Sequence, residues 1–258
     1  MEIKGFGDKG AEGLYILSVA ISPDGSLVAT GMGASDNRVL LWNTTTGNVQ
    51  ELGRHQSIVT SVAFNPSGTL LASGDNGNEV WIQDLKNPSA ITVYKGDVPN
   101  RLQNFTNLYW LDDQTILAAG TYAIYTWDTS TKRLLKRLAI PDKAPFFVDA
   151  AFDQGGNRIA AAAQDNVVYV WDQTTAAWST WPALPTSKLA KVAFSSDGQL
   201  LAAGTQEGNL LLWDTTQDKL LVECSGPTDS IVALRFSPDN HYIAAVGWDA
   251  TIWLWGIP

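Results

Sequence analysis

Apolar residues in this chain fall in short clusters. Val39-Leu40-Leu41, Val80-Trp81-Ile82, Ile124-Tyr125-Thr126, Val168-Tyr169-Val170, Leu210-Leu211-Leu212 and Ile252-Trp253-Leu254 are too short for helices and rich in β-prone residues, so each predicts a strand. Each cluster closes on one dipeptide: Trp42-Asn43, Gln83-Asp84, Trp127-Asp128, Trp171-Asp172, Trp213-Asp214 and Trp255-Gly256. The steps between these dipeptides are 41, 44, 44, 42 and 42 residues. Such a period marks a repeat.

Earlier in each unit another strand-like run ends in a reverse turn. The clearest are Ser22-Pro23-Asp24-Gly25, Asn65-Pro66-Ser67-Gly68, Ser195-Ser196-Asp197-Gly198 and Ser237-Pro238-Asp239-Asn240; Leu111 to Gln114 and Asp153 to Gly156 hold the same place. Pro presets φ, Asp or Ser bonds its own backbone, and Gly or Asn accepts positive φ, so the chain reverses there between antiparallel strands. A third run follows, as in Leu27-Val28-Ala29-Thr30 or Leu70-Leu71-Ala72-Ser73, and a fourth lies beyond the Trp slot, as in Lys219 to Glu223. Each unit is a four-stranded meander that is apolar on both faces. Small sheets of that kind cover one another by packing radially about an axis, which predicts an all-β fold, a β-propeller of four-stranded antiparallel blades.

The turn motif and the Trp-Asp or Trp-Asn dipeptide at this period resemble the WD-repeat propellers, from about Tyr15 to Trp255. The resemblance implies an Asp six residues before the Trp, and Asp36, Asp165 and Asp249 fill that slot, where Gly77, Thr121 and Glu207 stand in the other units. The family's Gly-His survives only as Arg54-His55, which gives His55 a structural role, and the first-strand Ser only as Ser18 and Ser61. With no unit holding the full Asp, Ser, His and Trp set, the resemblance implies that hydrophobic packing between blades supplies most of the stability.

A single propeller domain over residues 1–258 is expected, with units of about 15–53, 54–98, 99–141, 142–184, 185–226 and 227–258. Residues 1–14 hold one candidate strand, Glu2 to Phe6, which would close the last blade beside Ile252 to Trp255. The alternative is a fragment of a longer ring with an open edge.

Composition narrows the function. The chain has 258 residues, eleven Trp, one Cys, two His and a net charge of −9. The acidic balance opposes nucleic acid and anionic membranes, both of which reward Lys and Arg clusters. The start Met1 to Asp8 lacks the basic and apolar regions of a signal peptide and no run approaches a bilayer span, so a cytoplasmic location is expected. Cys224 alone permits no intramolecular disulfide and suits a reducing compartment. With His55 and His241 in different units, no metal or other cofactor is expected, and the chain is expected not to be an enzyme. The turn carboxylates Asp24, Asp112, Asp113, Asp153, Asp197 and Asp239 are best explained by turn chemistry. Charges in Lys132 to Arg137 protect an outer strand from edge pairing.

The Trp residues divide by register. Trp42, Trp127, Trp171, Trp213 and Trp255 fill the repeated slot and should be core, Trp81 and Trp253 should pack between blades, and Trp110 replaces a core Phe. Trp248 stands in the turn before a third strand, where other units have Ser35, Asn76, Gly120, Gln164 and Gln206. WD-repeat proteins bind partners on the face of these turns and through two early positions of the first strand. By register this yields Tyr15, Leu17, Ile58, Thr60, Phe146, Lys188 and Trp248 as partner-binding candidates. A monomeric, non-enzymatic scaffold for a protein or peptide is the expected function. The alternatives are a regulatory or sensor domain of a larger signalling protein and a small-ligand or enzymatic propeller using its central channel.

Overall fold

The computed structural model describes residues 15–33, 36–97, 104–139, 141, 146–183 and 187–257. The described residues form 23 strands and no helix, so among them no helix is long and apolar enough to cross a membrane. The strands pair as consecutive antiparallel meanders. Sheet one is β1 (Ile16–Ile21), β2 (Leu27–Met32), β3 (Arg38–Asn43) and β4 (Val49–Arg54). Sheet two is β5 (Val59–Phe64), β6 (Leu70–Asp75), β7 (Glu79–Asp84) and β8 (Asn87–Lys95). Sheet three is β9 (Phe105–Trp110), β10 (Thr115–Gly120), β11 (Ala123–Asp128) and β12 (Arg133–Ala139). Sheet four is β13 (Phe147–Phe152), β14 (Arg158–Ala163), β15 (Val167–Asp172) and β16 (Ala177–Pro182). Sheet five is β17 (Leu189–Phe194), β18 (Leu200–Thr205), β19 (Leu210–Asp214) and β20 (Lys219–Cys224). Sheet six has three strands among the described residues, β21 (Ile231–Phe236), β22 (Tyr242–Gly247) and β23 (Ile252–Gly256).

These are six propeller blades. The closing strand expected from Glu2 to Phe6 lies outside the described residues. The chain divides into two compact units, Met1–Ala139 and Ile140–Pro258.

In the first unit, Val39 and Leu41 of sheet one pack under Val59, Val62 and Leu71 of sheet two. Close approach at this contact demands glycine at position 31, because a Cβ there would lie 2.6 Å from Val59 Cγ1. Polar bonds fix the register. The Ser18 hydroxyl accepts the Val62 N–H at 3.0 Å, and the Ser61 hydroxyl accepts the Leu108 N–H at 3.1 Å. In the second unit Asp149 does the same work, accepting the Val192 N–H at 3.0 Å. Burial raises the Asp149 pKa, and Lys191, with its ammonium 3.5 Å away, opposes the rise.

Sheet two contains a buried polar brace. His55 Nδ1 lies 3.1 Å from Asp75 Oδ2 and Nε2 lies 2.8 Å from Ser73 Oγ, while Trp81 stacks on the ring with centroids 3.8 Å apart. The polar members therefore come from the second strand, where the sequence pattern looked to the first strand and to position 77. His55, Asp75 and Glu79 cluster within 4.8 Å, but both ring nitrogens are already engaged, so the group braces the fold.

Asp24, Asp112, Asp197 and Asp239 behave as turn chemistry predicts, whereas Asp113 accepts the N–H of Ser67 in sheet two at 2.7 Å and Asp153 pairs with Arg158. Asp24 accepts the Ser22 hydroxyl at 2.6 Å and the Ser26 N–H at 3.0 Å, and its pKa falls to about 2. Of the Trp residues expected in the core, Trp42, Trp127, Trp171 and Trp213 are buried, as is Trp110. Trp255 is half-buried and Trp253, expected to pack between blades, is exposed and stacks on it.

Candidate functional site

The turns between second and third strands are built by residues that tolerate a left-handed backbone. Asn37, Asn78 and Asn166 adopt positive φ there, and Gly208 takes the equivalent place in sheet five with φ of 86°. Glycine is required at 208, because an added Cβ would lie 1.8 Å from the Pro227 carbonyl oxygen.

Within the second unit, two of these turns and the starts of two first strands enclose a groove of about 450 Å³. It is lined by Gln164, Asp165 and Asn166 of one turn, Gln206 of the other, and Val148, Lys188 and Leu189 at the strand starts. Backbone bonds tie each turn to the strand beneath it: Gln164 N–H donates to the Phe146 carbonyl at 3.3 Å, and Gln206 N–H to the Lys188 carbonyl at 2.7 Å. Glu207 accepts the Lys188 N–H at 2.9 Å. Asp165 is committed locally, taking the Val167 N–H at 3.2 Å and the Tyr169 hydroxyl at 2.8 Å. Burial, and then this acceptor, push the Tyr169 pKa up to about 12. The groove thus presents the exposed carboxamides of Gln164 and Gln206 together with apolar Val148 and Leu189, with Lys188 as its cation. Such a surface can bond a peptide backbone, whose donors and acceptors the carboxamides match in kind.

The predicted contacts are distributed unevenly. Lys188 lines the groove, and Phe146 sits beside it, joined through its carbonyl to Gln164. In the first unit Tyr15 and Leu17 are exposed and Ile58 is half-buried, while the Thr60 hydroxyl is spent on the Phe105 carbonyl at 2.7 Å. Trp248 is 69% exposed and stands in the turn that follows β22, where its N–H donates to the Ser230 carbonyl at 2.9 Å. The carboxamides of Gln164, Asn166 and Gln206 were not among the predicted site residues. Their signal was present in the polar turn positions, where Trp248 drew attention by being different.

This architecture matches the family described as WD domain, G-beta repeat, at residues 8–43, 47–82, 143–172, 185–214 and 218–256. The chain belongs to that family. The third sheet lies between two matched stretches and keeps the four-stranded meander. Among curated relatives, Protein HIR1 of Cryptococcus neoformans var. neoformans serotype D is 26% identical over 195 residues, which is 64% of this chain and 21% of that protein. The periodic tryptophan protein 2 homolog of Caenorhabditis elegans is 28% identical over 162 residues, 62% of this chain and 17% of that protein. Small ribosomal subunit protein RACK1z of Oryza sativa subsp. japonica is 33% identical over 112 residues, 42% of this chain and 32% of that protein. The chain therefore spans between a sixth and a third of these relatives.

Proposed function

We propose that the chain is a non-enzymatic interaction module that binds an extended segment of a protein partner at the ends of its blades carrying the second-to-third-strand turns. The observation that carries this is the groove of about 450 Å³ lined by Gln164, Asn166 and Gln206 on those turns and by Lys188 at the start of a first strand. Membership of the WD-repeat family supports it, as do relatives whose printed names include a ribosomal-subunit protein. Phe146 supplies an apolar contact at the groove margin, and Lys188 gives the site its charge preference. The single Cys224 suits a reducing cytoplasmic setting.

The test starts from peptides selected against the immobilised chain from a random display library. Their affinity is then measured for the Gln164→Ala/Gln206→Ala double variant and for Lys188→Glu. Loss of a tenfold or larger factor in both, with thermal unfolding unchanged, is the expected result. Selected peptides that bind both variants as they bind the parent would show that the groove is not the site.

A further inference from the structure

The outer strands of the sheets are guarded to different degrees. β4 carries Glu51 and Arg54, β20 carries Lys219 and Glu223, β8 has Pro88 and Lys95, and β16 has no charge and ends on Pro182. A charge or a proline is enough to discourage an unwanted strand. β12 instead holds Arg133, Lys136 and Arg137, with Lys132 in the turn before it and no acidic residue from 129 to 139. Four of the chain's 17 Lys and Arg thus stand between Lys132 and Arg137, in a protein whose net charge is −9. Guarding alone leaves that concentration of one sign unexplained.

The strand also arranges these cations. Among the described strands β12 pairs with β11 alone, so its far edge offers unpaired backbone donors and acceptors. The register shifts between the pairs Trp127–Leu134 and Thr126–Lys136, which leaves Leu135 as an extra, bulged residue. Arg133 lies opposite Asp128 and Lys136 opposite Thr126, and alternate residues of β11 share a face. The bulge therefore brings Arg133 and Lys136 to one face, where an unbroken strand would have set them on opposite faces. All residues from Lys132 to Arg137 are exposed. Asp128, on the face of Arg133, is occupied by the Ser130 N–H and hydroxyl at 2.8 and 2.7 Å. Arg137, on the other face, gives its Nε–H to Asp97 at 2.7 Å.

We infer that β12 accepts an acidic, extended segment of a protein partner as a fifth strand of sheet three. An added strand bonds to an open edge through its backbone, and its side chains two apart fall on one face. Glu or Asp at every second residue then stand beside Arg133 and Lys136 as cross-strand pairs of opposite charge. The same cations repel a basic strand, so one set of charges both guards the edge and selects its partner. The rest of the chain sets the size of the ligand. A long polyanion such as nucleic acid would run from β12 onto a surface that is acidic on balance, whereas a short segment meets only the strand.

Three synthetic peptides test this by fluorescence anisotropy with the full chain: one alternating glutamate and threonine, one alternating lysine and threonine, and the glutamate peptide with its backbone amides N-methylated. The glutamate peptide should bind, weaken with added salt, and lose a factor of about ten or more against Arg133→Glu/Lys136→Glu. The other two peptides should not bind. Gln164→Ala/Gln206→Ala should leave the affinity unchanged, which separates this edge from the groove. Arg133 and Lys136 are exposed, so thermal unfolding of their variant should match the parent; glutamine replaces glutamate at both positions if it does not. A glutamate peptide that binds no better than its lysine counterpart overturns the proposal. So does equal binding of the N-methylated peptide, which would mean attraction of charge without strand pairing. Equal binding of a single-stranded thymidine oligonucleotide overturns it as well, because the strand would then be a general polyanion surface.

Discussion

Sheets two and six are built on one repeat and live in opposite surroundings. In sheet two, β7 is flanked by β6 and β8, its Val80 is fully buried, and His55, Ser73 and Asp75 join beneath Trp81. Among the described residues the third strand of sheet six is an edge, Ile252 and Leu254 are exposed, and Trp253 stacks on Trp255 near solvent. The same alternation of apolar residues thus produces core in one place and an exposed face in the other. What decides is the neighbour, since burial belongs to a pair of sheets and not to a strand.

The comparison breaks most severely at His55. His55→Ala removes the partner of Asp75 and of Ser73, both buried, and should cost about 3 kcal/mol from unmet polar groups; the midpoint of urea unfolding reports it. An unshifted midpoint would mean that the brace is dispensable. A paired truncation sharpens the contrast. Val80→Ala should cost about 2 kcal/mol by opening a cavity, whereas Ile252→Ala, on an exposed face, should stay within about 0.5 kcal/mol.

Sheet six can also be moved toward its siblings. Ala250 sits at φ 63° in the turn position that Asn37, Asn78 and Asn166 hold in other sheets. Asparagine tolerates the left-handed region better than alanine, so Ala250→Asn should add about 0.5 kcal/mol and raise the melting temperature. The smallest effect concerns acid. Thr251 and Thr228 hold the Asp249 pKa at about 2, against an ordinary value of 3.8. Its folded value is depressed, so its contribution is complete above pH 3.8 and disappears as the pH falls toward 2. Asp249→Asn should flatten the acid limb of stability over that window, measured by thermal melts at successive pH.

Much of the fold was written in the spacing of residues. Asn65-Pro66-Ser67-Gly68 encodes its turn locally, because the Asn65 side chain accepts the Thr69 and Leu70 amides. Local chemistry of this sort survives translation from sequence to structure. The polar brace did not, because Ser73 and Asp75 reach His55 only after β6 has folded back beside it. Position 149 was equally opaque: nothing nearby in the sequence says that its carboxylate meets the Val192 amide. Lys188 was legible at the candidate site through the family register, while the opposing carboxamides are a product of two turns from different sheets converging.

The bonds from Ser18 to Val62, Ser61 to Leu108 and Asp149 to Val192 span 44, 47 and 43 residues. Each joins a first strand to the first strand one repeat later, and none reaches further. Within each unit, then, a newly made sheet can dock as soon as its own repeat has been synthesised, and order can propagate one sheet at a time. Growth of the gene by duplication of a whole repeat would bring its own staple with it, so repeat number can drift without inventing a new interface.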